Sequence, residues 1–182
     1  MKKIILGVIG VFVVIIIIAA ASGSSNKQTS NTTTSTQSKE DQKAPETVAK
    51  VGEAAEDSDL AFTAISVDTA PSLGSSYSLR NAQGVFYVIT LKIENKGKET
   101  KTVDSSMITL TDNQGRKFDR SIEGQTAKGL SQGKVDLFLQ QVQPGLNVTG
   151  DIVFDVPKEA AGLKLNVKGS LFGKGKEIDL GR

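Results

Sequence analysis

The chain predicts an all-β domain, an antiparallel β-sandwich, carried behind an apolar N-terminal segment. Three observations support that class. Apolar residues recur with a period of two over several short stretches, turn-forming Gly, Pro, Asn and Asp separate those stretches, and no convincing amphipathic helix interrupts them. With 182 residues, no cysteine and no histidine, the chain has room for one domain with a core that needs no disulfide staple.

The first element is the leader. Residues 4–21 carry no charge and follow Lys2 and Lys3. As a helix this run covers about 27 Å, which suits a hydrocarbon core of about 30 Å. The two lysines stay cytoplasmic and direct the C-terminus outward. Ala19-Ala20-Ala21 before Ser22 also fits the A-x-A pattern of a cleaved signal peptide. The run is longer than the ~7–15 residues of a signal h-region and reaches that site without a helix breaker, which favours a retained transmembrane anchor. The expected protein is therefore single-pass with its C-terminal domain extracellular, or secreted if cleaved after Ala21.

The second element is a linker over residues 22–46. From 22 to 38 every residue except Gly23 and Lys27 is Ser, Thr, Asn or Gln. Such a segment has little to bury against its ordering entropy and reads as disordered. It serves as a spacer of roughly 25–30 Å as a coil, or as a plain connection between leader and domain.

The folded domain is expected over residues 47–182. Leu60, Phe62 and Ala64 shift phase to Ile65 and Val67, which predicts a bulged strand. Val85, Tyr87, Ile89, Leu91 and Ile93 alternate with Thr90, Lys92 and Glu94. Ile108 and Leu110 lead into the turn Asp112-Asn113-Gln114-Gly115, from which residues 116–119 return as a hairpin partner. Val135, Leu137 and Leu139 form another inward row, as do Leu146, Val148, Ile152, Phe154 and Val156, and then Leu163, Leu165 and Val167. Pro144 and Gly145 make a tight turn, Gly150 marks a bulge or a close backbone approach, and Pro157 ends its strand. Gly173-Lys174 and Gly175-Lys176 form a turn before a closing strand at residues 176–180. Residues 70–82 and 121–134 read as long loops, either binding loops at a sandwich end or simple surface connections.

The stretches GVFYVITLKIEN (residues 84–95) and PGLNVTGDIVFDVP (residues 144–157), with the Asp112–Gly115 turn, resemble a bacterial family. It is the telokin-like, immunoglobulin-fold domain of unknown function 4352. The resemblance covers roughly residues 47–180. It implies an extracellular immunoglobulin-like sandwich, often behind a lipoprotein signal or a membrane anchor, with no catalytic site to carry over. This chain lacks the cysteine of the lipoprotein members, so its attachment would be the apolar segment itself.

Composition narrows the function further. Without His or Cys there is no Ser-His-Asp or Cys-His nucleophile system and no His- or Cys-ligated metal. Ser131-Gln132-Gly133-Lys134 fits S-x-x-K, but the S-D-N and K-T-G elements of penicillin-recognising enzymes do not occur. Asp151 and Asp155 are expected on a solvated strand face, not around calcium. Lys and Arg number 22 against 20 Asp and Glu, and Lys2 and Lys3 account for the difference, so no basic surface for nucleic acid is expected.

Phe86, Val88, Phe138 and Val153 fall on the wrong phase of their rows and would project away from the core. Together they are an apolar candidate interaction patch, unless a neighbouring segment such as 121–134 covers them or the sheet is buried on both sides. The expected role is a non-enzymatic, membrane-anchored surface module that needs no cofactor and contacts another surface or envelope protein. The alternative is a structural spacer or accessory subunit of an envelope assembly.

Overall fold

The computed structural model describes residues 48–132 and 136–182. The expected anchor at 4–21, the linker at 22–46 and Val135 lie outside the described residues. Among the described residues, no helix is long and apolar enough to cross a membrane.

Among the described residues, eleven strands and one α-helix follow in order: β1 (Ala49–Lys50), β2 (Ala54–Asp57), β3 (Leu60–Leu73), β4 (Arg80–Asn95), β5 (Lys101–Thr102), β6 (Ile108–Thr111), β7 (Lys117–Phe118), α1 (Ile122–Gln132), β8 (Gln141–Val142), β9 (Asn147–Val156), β10 (Lys164–Val167) and β11 (Lys176–Asp179), with a short 3-10 turn (Ser105–Met107) before β6. They form a five-stranded sheet β1-β11-β10-β6-β7, a four-stranded sheet β2-β3-β4-β9 and a small β5-β8 pair. All pairings are antiparallel except β1 with β11, a short parallel departure from the expected pattern.

The two large sheets share one core. Phe62, Ile89, Leu91, Ile93, Ile152, Phe154 and Val156 from the four-stranded sheet meet Ile108, Leu110, Leu165, Val167 and Ile178 from the other, all buried. These are the inward positions of the alternating rows, so the period of two translates into a dry sandwich interior. The Asp112 turn forms as expected. Asp112 Oδ1 accepts the backbone N–H groups of Gln114 and Arg116, and β7 returns along β6. Gly150 marks a close approach and not a bulge. A Cβ there would lie 3.0 Å from Leu137 Cβ, while the β4–β9 ladder runs through it unbroken.

The expected bulge in β3 is present, with a register shift between Ala64 and Ser66. The extra residue is Ile65, which is exposed, while Val67 returns to the core.

Both expected loops are corrected. The first shrinks to a turn at residues 74–79, because residues 70–73 and 80–82 extend the β3–β4 ribbon through Ser72↔Asn81 and Leu73↔Arg80. Pro71 is tolerated because it sits at a second register shift, where no ladder N–H is needed. Residues Ile122–Gln132 of the second expected loop form α1. Ser121 caps it, its Oγ accepting Gly124 N–H at 3.1 Å, and Glu123 sits favourably in the first turn. The helix escapes an apolar-period reading because its buried residues are Gly124, Gln125 and Ala127, while Ile122 and Leu130 are 67% and 71% exposed.

Two smaller corrections concern single residues. Leu139 does not continue an inward row; it is exposed in a turn with φ of 65°. Leu146 is exposed in the turn before β9.

Candidate functional site

The outer face of β4 and β9 carries Phe86, Val88 and Thr90 opposite Asp155, Val153 and Asp151. Its apolar half is closed. Phe86, Val88 and Val153 form a second buried cluster with Leu73 and Ala82, roofed by α1. Gly124 makes the close approach possible: a Cβ there would lie 2.8 Å from Val153 Cγ1 and 2.9 Å from Phe86 Cε1. Three of the four expected patch residues are thus brought together and covered. Phe138 is separated from them and buried in the main core. The patch is not open surface, because the 121–134 segment folds over it.

Gln125 fixes the helix to the sheet edge. Its Nε2 donates to the Asp151 carbonyl at 2.8 Å, and its Oε1 accepts Val153 N–H at 3.0 Å. Ser121 N–H donates to the Val153 carbonyl at 2.7 Å, and Arg120 bridges to Phe154. β9 is the outermost strand of its sheet. These contacts occupy peptide groups that would otherwise template pairing with another chain.

Beyond the apolar half, α1 and the strands diverge around a cleft of about 610 Å³. Its walls include Thr90, Lys128, Gln132, Asp136, Gln140 and Asp151. Thr90 Oγ1 donates to Asp151 Oδ1 at 2.7 Å, and Lys128 Nζ lies 3.3 Å from Asp151 Oδ2. The Lys128 and Asp151 side chains are only 15% and 11% exposed, so water screens this pair weakly. Asp136 pairs with Arg120 at 3.1 Å, and the Arg120 guanidinium stacks 4.4 Å from the Phe138 ring centroid. The cleft therefore presents hydrogen-bonding groups whose charges already have partners. Its volume falls in the range of small-molecule sites.

The expectation that Asp151 and Asp155 face bulk solvent is corrected. Asp151 lines this cleft, and Asp155 accepts the N–H groups of Gln83 and Gly84 at 2.8 and 3.0 Å. Among the described residues no group of three acidic side chains is placed to hold a metal. Ser131 lies at the exposed end of α1 and donates to the Lys128 carbonyl at 2.9 Å. Gly133 and Lys134 of the S-x-x-K string lie outside the described residues. Thr90, Gln125, Lys128 and Asp136 carried no warning in the sequence. The one local signal was Ser121 followed by Glu123, a helix-start pattern.

Residues 49–178 match the model of a family described as Domain of unknown function (DUF4352). The fold is similar to that of several solved structures. The yjhA protein from Bacillus subtilis has a TM-score of 0.55 at 14% identity, covering 73% of this chain and 99% of that one. A conserved hypothetical protein from Bacillus anthracis has a TM-score of 0.52 at 14% identity, covering 70% and 94%. The secreted protein MPT63 from Mycobacterium tuberculosis has a TM-score of 0.52 at 12% identity, covering 75% and 97%. At these identities the likeness concerns the fold. No curated protein is similar to this chain in sequence.

Proposed function

This chain belongs to the DUF4352 family, and from that premise we propose that it is a non-enzymatic, membrane-anchored recognition module with an immunoglobulin-like domain held outside the cell. The cleft between α1 and the β4–β9 face carries the reading. It is large enough for a small molecule, and the charged wall residues among the described ones, Lys128, Asp136 and Asp151, are each engaged in an ion pair. A ligand entering it meets charges that already have partners, Lys128 with Asp151 and Asp136 with Arg120, together with many donors and acceptors, which suits an uncharged polar compound. The uncharged run at 4–21 behind Lys2 and Lys3, and the similarity of the fold to a secreted protein, support the outward placement.

Two measurements test this. A compartment-sensitive reporter fused after Arg182 is expected to be active outside the cell; activity solely inside refutes the placement. For the cleft, a panel of uncharged polar metabolites is screened by thermal shift against the native chain and a Lys128→Met variant. A binder at about 100 times its Kd stabilises by roughly 2.7 kcal/mol. That shift is expected in the native chain and reduced in the variant. An equal shift in both moves the binding elsewhere.

A further inference from the structure

The connection from β10 to β11, residues 168–175, ends in a bare apolar tip. Leu171 and Phe172 are adjacent and 80% and 97% exposed. Isolated exposed apolar residues are ordinary, but two consecutive ones at nearly full exposure on a constructed loop are not. The loop is constructed because Asp57 of β2, itself buried, ties its two ends together. Asp57 Oδ2 accepts Gly169 N–H at 2.7 Å and Oδ1 accepts Gly175 N–H at 3.2 Å. Gly173 N–H closes on the Ser170 carbonyl at 3.1 Å, and the Ser58 and Ser170 hydroxyls lie 3.3 Å apart. Gly173 packs so closely that a Cβ there would fall 2.1 Å from Asp57 Oδ2. The base is clamped and the tip is held outward.

Within residues 168–175 the charge is of one sign. Exposed Lys168 and Lys174 stand on either side of the tip, with half-buried Lys176 just beyond. An apolar tip between lysines matches a bilayer interface, where the tip enters the acyl boundary and the ammonium groups sit at anionic headgroups. The topology adds a second argument. β1 runs parallel to β11 with Ala49 opposite Ile178, so Val48 lies level with the start of β11. The described chain thus enters the domain at the same end of the sheet that carries the loop. The apolar run at 4–21 precedes that entry point in sequence.

We propose that the 168–175 loop seats Leu171 and Phe172 in the interface of an anionic lipid bilayer, with Lys168 and Lys174 on its headgroups. This rests on the anchoring reading above, and it gives the tethered domain a fixed face toward the membrane.

The chain contains no tryptophan, so Phe172→Trp supplies a single tryptophan at the tip. The full-length variant is reconstituted into phosphatidylcholine vesicles with or without phosphatidylglycerol and floated on a density gradient. Tyr77→Trp serves as the control, in the exposed β3–β4 turn at the opposite end of β3, roughly 45 Å along the strand. Blue-shifted emission quenched by brominated lipid is expected for Phe172→Trp in anionic vesicles, with water-like emission for Tyr77→Trp. Adding Lys168→Gln and Lys174→Gln is expected to lower the inserted-to-free ratio about 25-fold, at about fivefold per lysine.

Flotation with water-like emission from Phe172→Trp overturns the loop proposal and leaves the anchor standing. A chain that does not float overturns both. Equal insertion in vesicles lacking phosphatidylglycerol overturns the anionic assignment. A blue shift that grows with protein concentration in the absence of vesicles assigns the tip to a second copy of the chain and overturns the membrane contact.

Discussion

Gly124→Ala decides whether α1 is a packed roof or a surface helix. In a solvent-facing helix the change is favourable by about 0.8–1 kcal/mol, because Ala loses less backbone freedom than Gly. Here the new methyl would lie 2.8 Å from Val153 Cγ1 and 2.9 Å from Phe86 Cε1. Both neighbours are buried and stiff, Val153 at 0% and Phe86 at 1% exposure, so neither yields without lifting the helix. Overpacking of this kind costs about 1–3 kcal/mol. The net expectation is a loss of about 1 kcal/mol, or roughly 4 °C in Tm for a domain of this size.

A double-mutant cycle isolates the contact. Val153→Ala alone costs about 2 kcal/mol through lost burial and the cavity left behind. Combined with Gly124→Ala, the new methyl occupies part of that cavity, and the pair should fall short of additivity by about 1–2 kcal/mol. Urea and thermal unfolding followed by far-UV circular dichroism measure all four chains. A rise in Tm for Gly124→Ala, or additivity of the pair, would refute the packing of α1 on Phe86 and Val153.

Three further outcomes are expected. Gln125→Ala leaves the Asp151 carbonyl and the Val153 N–H without their partner at the sheet edge; it should cost about 2–3 kcal/mol in urea unfolding and promote self-association by light scattering. Asp57→Ala removes two charge-assisted hydrogen bonds at the base of the 168–175 loop; about 3 kcal/mol should be lost, with faster amide exchange at Gly169 and Gly175 as the specific readout. The Asp112 carboxylate is pulled up by burial, but hydrogen bonds from the Arg116 side chain and from the Arg116 and Gln114 backbone outweigh that and hold its pKa below the usual value. Its contribution is present above the unfolded-state value near 4 and lost as pH falls through the folded value. Thermal melts from pH 6 to pH 2 should therefore show a smaller acid loss in Asp112→Asn than in the native chain; equal slopes would contradict the assignment.

The rows at Ile89, Leu91 and Ile93, at Ile152, Phe154 and Val156, and at Leu163, Leu165 and Val167 spell out a sandwich in the sequence alone. A strand with one dry face writes its orientation into consecutive residues, so alternation is local information. The Asp112 turn and the β3 bulge were legible for the same reason. What covers the second face was not. Phe86, Val88 and Val153 could be recognised as apolar on the outer side, but whether solvent, a partner or the chain itself met them depended on contacts across tens of residues.

The tertiary structure supplied that cover with a helix whose buried side is Gly124, Gln125 and Ala127. Those residues look like a loop in isolation. They make sense only against β9, where glycine permits the approach and the glutamine amide stands in for a missing strand. The cleft and the clamp by Asp57 were hidden likewise, since each joins groups from elements remote in sequence. Sequence by itself determined which residues leave water along each strand, because that preference acts within a few positions. Folding decided which elements share an interior, because close packing and hydrogen-bond pairing act between surfaces that no local pattern encodes.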